Sequence, residues 1–386
     1  MNCLHVFEEI DRLNDRYVDV WEDVIKIESP SYFKEGVDAV NDYFIALSEK
    51  LGWRVERFPM EKFGDVVAIT MNPDSDKPPV ALSGHLDTVH PLGLFKEPIC
   101  HRDGDKIYGP GAIDCKGGVV AGFLAMHALH NSGYTDRPVM MLLQSNEEIG
   151  SGLENKAPIR CICEKAKGSV AFLNLEGHRG PISRVLTLER KGIAAFTFYI
   201  TGIAAHSGAC AREGASAITE AAHKIIELEK IKEEDGLTFN CGTIKGGTVR
   251  NAVAGACEFQ LDVRFPTYND LERAKEIIKT VAETVYVEGC TCEVKPICLR
   301  ECMERCDRNV ELFDAINKAL AENGLSAMVE GSSLGGSDAA DVTRFGIPCV
   351  DSLGVGGAKY HSIDEYGIIS SLADSAKRLA AIVTSI

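Results

Sequence analysis

With 386 residues, 45% of them hydrophobic, the chain is too long for one ordinary small domain, so a large core with an inserted or appended second domain is expected. A formal net charge of −16 argues against a surface that neutralises phosphates or anionic lipid, which removes nucleic acid and membrane from the expected partners. Fourteen cysteines without an export signal imply reduced thiols rather than a disulfide framework.

In chain order, the opening stretch MNCLHVFEEIDRLNDRYVDVWEDVIKI carries acidic residues throughout and no apolar h-region, so it reads as an amphipathic helix and not a signal peptide. No run approaches eighteen apolar residues, and a cytoplasmic location is expected. Short apolar runs at 66–69, 80–83, 139–144, 170–175 and 348–353 alternate with helical stretches such as 118–130. That order predicts an α/β fold, a mixed sheet with helices on both faces. The stretch GGVVAG (117–122) fails the dinucleotide fingerprint and reads as a helix start with small residues for close packing. From about 185 to 296 the pattern changes to strand, helix, two strands, helix, strand, a βαββαβ unit of its own. The expected domains are therefore a discontinuous one, 1–184 with 297–386, and an inserted one, 185–296.

Polar and charged residues cluster just after the apolar runs, where ligands bind in open α/β sheets. Five stretches carry them: SGHLDTVHP (83–91), YGPGAIDCKGG (108–118), SNEEIGSG (145–152), LEGHRG (175–180) and GGAKYHSIDEY (356–366). Each alone has a plain explanation: a core histidine at 85, a turn residue at Asp114, a loop side chain at His361. Together they demand a common one. His85 and Asp87 fall on one face of an extended segment, where the carboxylate can hold the imidazole in one tautomer. Glu147 and Glu148 are adjacent like charges at the end of an apolar run, where charge is costly to bury. Their side chains diverge, so one can bind a metal while the other faces a reacting water.

These motifs, over roughly residues 80–386, resemble the di-zinc amidohydrolase family of bacterial glutamate carboxypeptidase, acetylornithine deacetylase, succinyl-diaminopimelate desuccinylase and aminoacylase. The resemblance implies metal ligands His85, Asp114, Glu148, Glu176 and His361, with Asp114 bridging two ions, and Glu147 as general base beside Asp87. Two zinc ions are implied, with cobalt or manganese as substitutes. The middle stretch resembles that family's lid, which usually dimerises; His206 would then reach the partner's active site as an oxyanion donor. Asn251, Arg264 and Lys191 would hold the substrate, with Gly336 and Ser337 of GGSDAAD beside it. An N-cap for the helix near Asp338 explains the same Ser337, and a surface ion pair the same Arg264. The expected reaction is hydrolysis of an amide next to a free carboxylate, in a small peptide or N-acyl amino acid, by a homodimer. The run from RKGIA through LDVR is closest to the glutamate carboxypeptidase branch. Cys115 and Ala254 depart from the family pattern, and the 114–115 peptide is a candidate for a cis bond.

Two rivals come from other classes. GSSLG (331–335) fits a serine elbow, with Asp351 and His361 downstream. A metal-free binding protein on the same scaffold is the other. The cysteines 290, 292, 298, 302 and 306 form no C-x-x-C pair and read as ordinary thiols before a metal site.

Overall fold

A computed structural model describes residues 3–150, 152–182, 184–210 and 212–386. Its larger sheet has six strands in the order Arg54–Phe58, Val66–Met71, Val139–Gln144, Val80–His85, Ala171–Asn174 and Cys349–Val350. The last four of these run parallel to one another. Alternate residues part between two faces. Val67, Ile69, Val80, Leu82, Met141 and Leu173 join one core, under the helices Cys3–Lys26, Lys116–Asn131 and Ser371–Ser385. Val66, Ala68, Ala81, Met140, Leu142 and Phe172 join the other, under Ala157–Ala166 and Asp338–Arg344. Burial on both faces is why these strands read as unbroken apolar runs.

The helix Lys116–Asn131 is buried almost all round, and its glycines let it lie against the sheet. A Cβ on Gly118 would sit 1.9 Å from the carbonyl oxygen of Leu175, so any side chain there pushes the helix off. No helix among the described residues is long and apolar enough to cross a membrane.

Sequence reading missed a second sheet, because its strands are too short to show a period. His101–Asp103, Lys106–Tyr108, Tyr366–Ile368, Gly356–Ala358 and His178–Arg179 lie side by side. It draws the segments after Tyr108, Glu176 and Ala358 to one edge of the larger sheet.

The middle of the chain forms a four-stranded antiparallel sheet, ordered Thr238–Gly246, Ala256–Phe265, Gly192–Thr201 and Thr291–Arg300. The helices Ala217–Leu228 and Tyr268–Glu283 cover one face, over a core that includes Phe198, Phe259, Leu261 and Phe265. Ser216 and Thr267 cap those helices by accepting the amides of Thr219 and Asp270. The sheet starts at Gly192 and ends at Arg300, not at 185 and 296. Val185–Arg190 pairs in parallel with Val329–Ser333 instead, a long-range pairing that no local pattern encodes.

Candidate metal centre

The three central parallel strands end at the same edge, and each is followed by candidate side chains: His85 and Asp87, Glu147 and Glu148, Glu176. His85 is buried. Its Nδ1 lies 3.0 Å from the carbonyl oxygen of Asp87, an atom that only accepts, so Nδ1 carries a hydrogen; Nε2 lies 3.0 Å from Asp114 Oδ1. The carboxylate of Asp87 stands 3.4 Å from that ring and is spent mainly elsewhere. It accepts the Glu147 and Glu148 amides at 2.9 and 3.2 Å and the Ser31 hydroxyl at 2.6 Å. Asp87 therefore ties the His85 strand to the glutamate doublet, a role that sequence spacing did not predict.

Asp114 uses its two oxygens on two imidazoles. Oδ1 meets His85, and Oδ2 lies 3.2 Å from His361 Nε2. His361 also meets Glu148 Oε2 at 3.3 Å, and Glu176 Oε1 comes within 3.8 Å of His85 Nε2. Asp114 is held from behind, since Glu365 accepts the amides of Ile113 and Asp114 at 3.0 and 3.1 Å. The expected cis peptide is present at Asp114–Cys115. The His361 loop turns through positive φ at Lys359 (69°) and His361 (59°), conformations that side-chain-bearing residues adopt at a cost.

Crowding of anions sets the electrostatics. Burial, then the neighbouring Asp114, pushes Glu148 up to about 8 and Glu176 well above the carboxylate range. Burial also opposes the Asp114 anion, yet hydrogen bonds from His361 and His85 hold its carboxyl well below that range. The hydrogen bonds that His361 donates to Asp114 and Glu148 lift its own pKa to about 10. Cations at the same place would favour the ionised form of these carboxylates. Among the described residues, two groups of donors fit such ions, with ligand atoms within 4.8 Å of one another: His85, Asp114, Glu148 and His85, Cys115, Glu176. Nitrogen, oxygen and sulfur donors of this kind suit zinc.

Arg300 is a neighbour of the cluster that sequence reading missed. It lies at the end of a strand of the four-stranded sheet, is almost wholly buried, and donates to Glu147 Oε1 at 2.7 Å and to Asp338 Oδ1 at 2.9 Å. No local motif marks it. A cavity of about 580 Å³ opens in front of the cluster, lined by Asp114, Glu176, Arg179, Gly336, Tyr360 and His361 among others.

The remaining candidates divide. Gly336 lines the cavity, and its bare backbone leaves room for the Arg300 stem, which an added Cβ would meet at 2.7 Å. Ser337 is buried, caps the helix Asp338–Arg344 and gives its hydroxyl to Asp351 at 2.6 Å. Lys191 donates to the Gly236 carbonyl at 2.9 Å, and Arg264 pairs with Asp262 at 2.8 Å in a partly exposed bridge. His206 and Asn251 are exposed and adjoin each other on a ribbon of the middle unit. Nδ1 of His206 accepts the amides of Gly208 and Ala209, so Nε2 keeps the hydrogen. The serine elbow does not assemble: the Ser333 hydroxyl accepts from Arg190 and from the Gly335 amide, Asp351 pairs with Arg190, and the His361 ring points into the carboxylates.

The family model described as Peptidase family M20/M25/M40 matches residues 81–385. Carboxypeptidase G2 of Pseudomonas sp. (strain RS-16) is 28% identical over 355 residues, 91% of this chain and 84% of that protein. In fold, the chain is similar to the aminopeptidase PepT of Bacillus cereus, with a TM-score of 0.78 at 22% identity over 96% of this chain and 98% of that one. It is also similar to the YXEP protein of Bacillus subtilis, described as a dinuclear metal-binding peptidase, with a TM-score of 0.72 at 16% identity over 97% and 100%.

Proposed function

The chain belongs to peptidase family M20/M25/M40, and from that premise we propose that it hydrolyses an amide bond next to a free carboxylate, in a small peptide or N-acyl amino acid, with two zinc ions. The supporting observation is Asp114, whose two oxygens reach two different imidazoles in a buried carboxylate cluster. His85, Asp114 and Glu176 would hold one ion, and Asp114, Glu148 and His361 the other. Bound there, such ions supply a Lewis acid for the scissile carbonyl and a water that deprotonates readily.

The chain's own groups do the rest. Glu147, its amide fixed by Asp87 and its carboxylate aimed by Arg300, accepts the proton of the attacking water and passes it to the leaving amine nitrogen. Nε2 of His206 carries a hydrogen directed away from its own loop, the form required to donate to a developing oxyanion. Because His206 makes no contact with the cluster of its own chain, we assign that donation to the partner in a homodimer formed through the middle unit. Arg264, Lys191 and Asn251 would meet the substrate carboxylate once that unit closes. Likeness to carboxypeptidase G2 over 91% of the chain supports the carboxypeptidase reading over N-acyl deacylation or desuccinylation, and a cytoplasmic site of action accords with the sequence.

The test is a hydrolysis screen over dipeptides, N-acyl amino acids and N-acylated diamino acids, with zinc, cobalt or manganese, read by mass spectrometry of the released amine. Cleavage that a chelator abolishes and added metal restores is expected. Full turnover after exhaustive chelation, or no amide cleaved with any of the three metals, would overturn the proposal.

A further inference from the structure

Cys115 is buried and follows Asp114 directly, yet the mechanism above gives it nothing to do. Its position is particular. Sγ accepts the backbone amide of His85 at 3.3 Å, so it stands at the end of the strand that delivers the ligating imidazole. Sγ, one ring nitrogen of His85 and one carboxylate oxygen of Glu176 lie within 4.8 Å of one another, as do ligand atoms of His85, Asp114 and Glu148. Gly84 leaves room here for the sulfur and for Val119, since an added Cβ would stand 2.7 Å from Val119 Cγ2 and 2.9 Å from Sγ. Two independent features, a three-donor group and a glycine that clears space for one donor, therefore converge on the same sulfur.

We propose that Cys115 is a protein ligand of the metal position formed with His85 and Glu176, so that the two metal positions of this chain differ in chemistry. One is then a sulfur, nitrogen and oxygen site; the other, with Glu148 and His361, offers only nitrogen and oxygen. On metal uptake the Cys115 S–H bond breaks, the electron pair forms the sulfur–metal bond and the proton leaves to solvent. Thiolate is a soft donor, so the Cys115 position holds zinc and resists exchange for manganese, while the His361 position exchanges readily. The inference rests on the two-metal reading, and its test separates the two.

The chain, stripped of metal, is titrated with cobalt(II), followed in the visible for bound cobalt and in the near ultraviolet for thiolate-to-cobalt charge transfer. The wild type should develop both. C115S, close in size to the native residue, should keep the visible bands, lose the charge-transfer band and release its tighter zinc to a chelator on the order of tenfold more readily. C115A serves as a second variant, and circular dichroism of the metal-free proteins checks that each is folded. Visible bands without charge transfer in the wild type would overturn the Cys115 assignment and leave the metal centre standing. So would a charge-transfer band that survives in C115S and C115A, since another thiol would then be its source. No bound cobalt at all would overturn both.

Discussion

The edge of the six-stranded sheet and the four-stranded sheet handle polar groups in opposite ways. At the first, His85, Asp87, Asp114 and Glu147 are buried, and Asp114 and Glu148 compete for the His361 imidazole. In the second, Ala256–Phe265 alternates strictly, with Cys257, Phe259, Leu261, Val263 and Phe265 inward, while the candidate groups His206 and Asn251 are exposed on a separate two-stranded ribbon of the middle unit. The second is stable as an ordinary amphipathic sheet. The first crowds buried carboxylates around two imidazoles, a clustering of perturbed groups that marks candidate functional sites.

Glu147→Gln should lower kcat by roughly 10²- to 10⁴-fold while metal content, read by elemental analysis, stays the same; a near-normal rate would remove Glu147 from proton transfer. Phe259→Ala, in the middle unit, should cost about 3–5 kcal/mol in urea unfolding, with the metal content of the folded protein unaltered. If that variant instead sheds metal, the two regions are not separable. His206→Ala should reduce kcat by roughly 10²- to 10³-fold without changing metal content. Mixing its protomers with Glu147→Gln protomers should recover activity, because each mixed dimer holds one complete site; no recovery would sink the cross-protomer role.

The smallest expected effect concerns acid. His127 is buried, its Nδ1 2.9 Å from the Tyr17 hydroxyl, and burial, then the neighbouring Arg16 and His130, lowers its pKa from 6.5 to about 4. The unfolded chain thus binds the proton more readily than the folded one, so the stability it confers is complete above pH 6.5 and lost as pH falls toward about 4. Allowing for partial screening, the loss is about 2 kcal/mol. His127→Gln should flatten the pH dependence of Tm in that window; an unchanged slope would place the acid sensitivity elsewhere.

Legibility from sequence followed the range of the interaction. The stretch VMMLLQ, apolar at every position but the last, and ACEFQLDVRF, apolar at alternate ones, carry the patterns of burial on two faces and on one. Ser216 and Thr267 could have been found as caps from their neighbours alone. Arg300 could not, because its partner Glu147 is 153 positions away and nothing near LRECMER signals it. Glu365, 251 positions from the Asp114 amide that it accepts, is hidden for the same reason.

By itself, then, the order of residues determined which donors this chain owns, the elements that carry them and the class of chemistry they serve, since helix and strand periods and ligand types are local properties. Only the tertiary structure decided the pairings: Asp114 between two imidazoles, Asp87 on the amides of the glutamate doublet, Arg300 on Glu147, and Cys115 beside His85 and Glu176. Those depend on which strand ends share an edge. That is set by burying both faces of a six-stranded sheet at once, a condition of the whole chain that no single stretch encodes.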